Sequence, residues 1–198
     1  LHDLRTVPDP GRVLRTLMAH ADLQVWAEGV IPIGIECKTR RELIPGKQLA
    51  IWTLPPGPRE LQAVLDRVQP QEVFLFARDP DTDNMGILLK RLLGMVKFAI
   101  ERKAGQMELE AAAAATAQRI HTVQTGLEWL AAQGQVMIIE RMDDCWILGS
   151  GHGHPNSREL EVAQSRLKAL LAETAAYRTY VRTAPATALL QRAVISDR

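Results

Sequence analysis

Two short apolar runs separated by one amphipathic helix constrain this chain most. Gln48 to Thr53 (QLAIWT) and Glu72 to Ala77 (EVFLFA) are nearly continuous in apolar residues, the pattern of strands covered on both faces. Between them, Pro58 to Val68 sets Leu61, Val64, Leu65 and Val68 at helical spacing behind a proline-rich start. A strand, a helix and a strand in that order predict a crossover, and so a parallel pair. Leu23 to Trp26 (LQVW) predicts another strand. The helix before it begins after Asp9-Pro10-Gly11 and puts Val13, Leu14 and Leu17 on one side, and His2 to Arg5 offers a further short strand. The expected fold class is therefore α/β, with a small parallel sheet and flanking helices.

The alternation stops at Asp79-Pro80-Asp81-Thr82-Asp83-Asn84, a run of turn formers with no apolar anchor. Residues 1–84 are expected to form the parallel α/β domain, and residues 85–150 a second module. Met85 to Arg102 reads as a long helix with Met85, Leu88, Leu89, Leu92, Val96, Ala99 and Ile100 on its buried side. Residues 106–148 then have the order of a winged helix. A short Ala-rich helix spans Glu108 to Ala115, and a second helix spans Arg119 to Gln133 and is closed by Gly134. A hairpin wing follows, from Val136 to Glu140 and from Cys145 to Leu148. In the third segment, 151–198, a flexible Gly- and His-containing linker leads to a C-terminal helix capped by Ser157. Its stripe of Leu160, Ala163, Leu167, Leu170, Leu171, Thr174 and Tyr177 is expected to pack back on the body.

Composition narrows the class. With 46% apolar and 24% charged residues the chain has the balance of a folded globular protein. Its apolar runs, such as Leu49 to Leu54, fall far short of the ~20 residues a membrane span needs. Leu1 to Arg15 alternates charge with apolar residues, so Leu1 is expected to mark a cut in a longer chain and not a signal peptide. Cys37 and Cys145 show no paired spacing, which argues against a disulfide framework and for a reducing cytoplasm.

No catalytic or metal-binding residue is expected in this chain. The turn Leu54-Pro55-Pro56-Gly57-Pro58 has three prolines among five residues, so it lacks the backbone donors of a phosphate cradle, and no P-loop or GxGxxG occurs; no nucleotide is expected to bind. His152-Gly153-His154 and Cys145 lack a fourth ligand in sequence. Asp79, Asp81 and Asp83 begin like a calcium loop, but the twelfth position is Lys90 and the sixth is not Gly. Ser150 sits outside a nucleophile-elbow context.

The charge is uneven although the net value is +1. Residues 85–104 carry Lys90, Arg91, Lys97, Arg102 and Lys103 against the lone acid Glu101, whereas residues 105–150 carry two Arg against six Asp or Glu. The second helix of the module offers Arg119, His121, Thr122, Gln124 and Thr125 as exposed base-reading candidates. Affinity for a phosphate backbone comes from cations. Weak, sequence-indifferent nucleic-acid binding is thus expected from Lys90, Arg91, Lys97, Arg102 and Lys103 more than from Arg119 and Gln124.

Asp3-Leu4-Arg5, Val25-Trp26-Ala27-Glu28-Gly29, Ile51-Trp52-Thr53-Leu54-Pro55-Pro56 and Val73 to Ala77 resemble segments of the C-terminal region of bacterial RecJ exonucleases, particularly the cyanobacterial type. So do Leu92 to Ala99 (LLGMVKFA), Thr122-Val123 within the second helix, and the closing helix through Thr174 to Tyr180. The resemblance covers residues 1–185 and lies in order and spacing. That family degrades single-stranded DNA from the 5′ end with manganese or magnesium, in recombination and repair. Its Asp-His-His catalytic motif has no counterpart here, since none of His2, His20, His121, His152 and His154 adjoins another. The resemblance implies a non-catalytic accessory region that guides single-stranded DNA or docks a single-stranded-DNA-binding protein or a helicase. The alternative is a regulatory protein with an α/β sensor domain and a DNA-binding winged helix.

Overall fold

The computed structural model describes residues 1–20 and 22–191. Among them the chain runs β1 (His2–Asp3), α1 (Pro10–His20), β2 (Leu23–Trp26), β3 (Gln48–Thr53), α2 (Pro58–Val68), β4 (Glu72–Arg78) and α3 (Met85–Arg102). It continues through β5 (Gln106–Glu108), α4 (Leu109–Ala115), α5 (Ile120–Ala132), β6 (Val136–Arg141), β7 (Cys145–Ser150), α6 (Ser157–Thr183) and α7 (Ala186–Gln191). No described helix is long and apolar enough to cross a membrane. The chain divides into two compact units, one made of residues 1–81 with 175–198, the other of residues 82–174. The segment 151–198, set apart in the sequence, is therefore shared between them.

In the first unit four parallel strands lie in the order β1-β4-β3-β2. The continuous apolar runs are explained by the cover on each face. Leu49, Ile51, Val73 and Leu75 point to the side packed with Leu61, Val64 and Val68 of α2, with Val181 of α6 and with Ala184 just after it. Their neighbours Ala50, Trp52, Phe74 and Phe76 point to the side holding Leu14 of α1. Pro58 opens α2 where a missing N–H costs nothing, and Gln69 ends it in the left-handed region, φ 50°, donating to Leu65 O. Arg5 holds the end of α6, because its Nη1 donates to the carbonyls of Val181 and Ala184 at 2.6 and 2.9 Å. A cation at a helix C-terminus satisfies carbonyls that have no partner within the helix.

The second unit joins α3, α4 and α5 to an antiparallel sheet of order β5-β7-β6. Asn84 caps α3 by accepting from the N–H groups of Gly86 and Ile87. Leu88, Leu92 and Val96 of α3 share a core with Val123, Leu127 and Leu130 of α5, Trp146 and Leu148 of β7, and Leu167 and Leu171 of α6. The sequence predicts a helix from Glu108, but the helix starts at Leu109 and Glu108 ends strand β5. Gln106 to Glu108 instead pair with Ile147 to Cys145.

Two local expectations need correction. Asn156, not Ser157, caps α6: its Oδ1 accepts from Glu159 N–H at 3.4 Å, and its own N–H donates to Ala132 O. The glycines read as a flexible linker are bonded down, with Gly151 N–H on Gln135 O and Gly153 N–H on Gly134 O. A Cβ on Gly134 would lie 2.6 Å from His154 N, and its φ of 78° favours glycine as well.

Candidate nucleic-acid interface

The carboxyl ends of parallel strands are where such sheets commonly hold ligands. In the first unit the protein's own pairs fill that end. Glu28, which follows β2, is 2% exposed, and its carboxylate accepts from Trp26 Nε1 at 2.9 Å, from Arg40 N at 2.9 Å and from the Arg40 guanidinium. The Glu28 backbone is tied to Thr53 Oγ1 at the end of β3 in both directions, at 3.0 Å. Arg78 donates to the carbonyls of Arg5 and Phe76. Asp3 accepts from Arg5 Nε at 2.8 Å, and that hydrogen bond holds its carboxyl below the usual range despite partial burial. These groups fix the loops after the strands and leave their cations turned onto protein oxygens.

Unit two carries the charged candidates. Lys90, Lys97, Arg102 and Lys103 are exposed along and just beyond α3, and Arg91 is half-buried beside them. Arg102 and Lys103 lie at the helix C-terminus, where positive charge is favoured. Phe98 stands 55% exposed among them, off the stripe of Leu88, Leu89, Leu92, Val96 and Ala99 that α3 buries.

The base-reading candidates on α5 fare differently. Thr122 and Thr125, read from sequence as exposed, are fully buried, because this helix packs on α3 from one side and the sheet from another. Arg119 is half-buried, and its Nη2 donates to Leu170 O at 3.0 Å and to Glu173 Oε2 at 2.9 Å. Gln124 Oε1 lies 3.0 Å from His121 Nδ1. Beside them Glu128 receives Arg141 at 3.2 Å and Arg166 at 3.7 Å, and Arg141 lies over the Trp146 ring, 4.8 Å from its centroid. The side of α5 that faces the β6–β7 hairpin is thus a lattice of internal ion pairs, with Asp143 at the hairpin turn also lining the cleft there.

The acidic turn is likewise bound internally. Asp79 accepts from Asp81 N–H and from Arg182, and Asp83 accepts from Gln118 Nε2 at 3.0 Å. Among the described residues no three His, Cys, Asp or Glu side chains converge as a metal site would require.

Sequence reasoning missed Phe98 as an exposed residue, although its position off the apolar stripe of α3 was the available signal. It also missed the Glu28–Arg40 pair, whose members are separated by a loop without periodicity. Comparison with protein-family models, curated proteins and solved structures finds no match for the chain.

Proposed function

We propose that this chain is a non-catalytic accessory region of a RecJ-like single-stranded-DNA exonuclease, serving to guide single-stranded DNA. The second unit, with two short helices before a β-hairpin, is read as a winged-helix module that binds through α3 and not through α5. The observation that carries this reading is the exposed run Lys90, Lys97, Arg102 and Lys103 with an exposed aromatic side chain among them. Cations that track a backbone and an aromatic ring on which bases stack are the two components of sequence-tolerant single-strand binding. The regulator alternative needs α5 in a major groove, reading base edges. Arg119 held by Glu173, and acids at Glu128 and Asp143, weigh against it. The divalent metal, and docking to a single-stranded-DNA-binding protein or a helicase, belong on this reading to the parent enzyme, with the cytoplasm as the compartment.

Fluorescence anisotropy with labelled single-stranded and duplex DNA at low and moderate salt tests the proposal. Replacing Lys97, Arg102 and Lys103 by Gln is expected to weaken single-strand binding and to flatten its salt dependence by about 2 in log K per log salt, given a slope of ~0.7 per phosphate contact. Replacing Arg119 and Gln124 by Ala is expected to change it little. The reverse pattern, or a preference for one duplex sequence, would favour the regulator.

A further inference from the structure

We infer that the groove between α3 and α4 is a pocket for one unpaired nucleic-acid base, with Phe98 as its stacking surface and Lys97, Arg102 and Lys103 for the flanking phosphates. This rests on the single-strand reading above and adds the element that separates single strands from duplex.

The groove encloses about 580 Å³, within the range of about 300–1,000 Å³ found for ligand clefts. Its α3 wall presents Gly94, Met95 and Phe98, and its α4 wall Ala111 and Ala115. Gly94 is the informative residue. A glycine in mid-helix weakens the helix, and the usual reason for tolerating one is a close neighbour; yet a Cβ at Gly94 would meet nothing within 4 Å. Its effect is to leave the α3 surface bare one turn before Phe98, opposite two alanines. An aromatic side chain beside a slot with small-residue walls suits a flat ring.

Charge selects the occupant. The groove itself is lined by Arg91 and Lys103 against Glu108, and Lys97 and Arg102 stand exposed on the same helix against Glu101, so cations outnumber acids around it and favour a ligand that is anionic around its flat group, as a nucleotide strand is. An acidic amphipathic helix would also be attracted, but it needs anchors spaced over two turns or more. The apolar part of the α3 wall runs only from Gly94 to Ala99, about 9 Å at 1.5 Å per residue, before Lys103. That length fits a base and its sugar.

The test uses the 198-residue chain and two labelled strands of about 12 nucleotides, one of thymidine and one with the same phosphates but no bases. The parent is expected to bind the thymidine strand more tightly. Phe98→Ala, which removes an exposed ring, and Gly94→Leu, which fills the slot in open space, should each lower affinity for thymidine about ten-fold. Their salt slopes should stay unchanged, and their binding of the base-free strand should match the parent's. Thermal melts are expected to show both variants folded. Parent-like thymidine binding by either variant overturns the pocket; if the Lys97, Arg102 and Lys103 replacement still weakens binding, the single-strand reading survives without it. If the parent binds neither strand at low salt, both readings fall. Binding of an acidic amphipathic peptide that Phe98→Ala abolishes, without DNA binding, makes the groove a peptide site and also overturns the proposal.

Discussion

Gly126 of α5 lies against Leu92 of α3 so closely that a Cβ on the glycine would stand 2.5 Å from Leu92 Cδ1. Both residues are buried, and Leu92 belongs to the core that α3 and α5 share. Gly126→Val is therefore expected to destabilise the protein by about 1–3 kcal/mol through overpacking. Gly94→Ala should do the opposite, gaining about 0.5–1 kcal/mol from helix propensity with no clash. Urea unfolding of the two variants beside the parent checks the sign of each; a stabilising Gly126→Val would show that the helices do not meet there.

Arg40→Ala should be the more damaging change in the first unit. It would leave the Glu28 carboxylate, 2% exposed, without its guanidinium, and an uncompensated buried charge costs about 3–5 kcal/mol. Exchanging both members, Glu28→Gln with Arg40→Met, is expected to recover most of that loss. A double-mutant cycle followed by denaturant unfolding measures the coupling, and additive effects would mean that the pair contributes no more than its parts.

Thr122 and Thr125 should tolerate valine. Their Oγ1 atoms are buried without a hydrogen-bond partner among the described residues, and an unsatisfied buried hydroxyl costs about 1–3 kcal/mol. Thr122→Val and Thr125→Val keep the shape and remove that cost. Melting temperatures equal to or above the parent's are expected; a drop of several degrees in both would point to a water or partner on those hydroxyls.

Cys37 should be slow to alkylate in the folded protein. Burial, helped by the neighbouring charge of Glu36, pushes its thiol up to about 11, so at pH 8 only about one molecule in a thousand carries the reactive thiolate. Iodoacetamide labelling with and without denaturant measures this. The same shift sets a pH dependence. Above about pH 8.5 the unfolded chain loses this proton first, while the folded chain keeps it until about 11, so the folded state binds more protons and stability falls as pH rises through that window. Cys37→Ala should show a shallower alkaline decline than the parent.

The parallel sheet was legible because its information is local. The runs 48–53 and 72–77 and the helix 58–68 each carry their own periodicity, and a crossover helix admits one strand direction. Helix α5 was legible in extent but not in orientation. It buries Thr122, Val123, Thr125, Leu127 and Leu130, more of its circumference than one stripe, so polarity at Thr122 and Thr125 gave a false sign of exposure. Strand β5 was invisible for another reason: Gln106, Met107 and Glu108 have no strand pattern, and they pair only because β7 supplies a partner some 40 residues later. The candidate site was half legible. Its cations stand out as a charge count, whereas the slot opened by Gly94 and the capture of Arg119 by Glu173 exist only once helices are placed together.

The split of the first unit between residues 1–81 and 175–198 has a temporal consequence. A nascent chain ordinarily folds its domains from the N-terminus as they emerge, at about 5–20 residues per second. Here the sheet is translated early, yet Val181 and Ala184, which cover one face of it, and the carbonyls that Arg5 must reach arrive only after residues 82–174. For on the order of 5–20 s the growing chain therefore exposes Leu49, Ile51, Val73 and Leu75 incompletely covered, while the later unit is free to fold first.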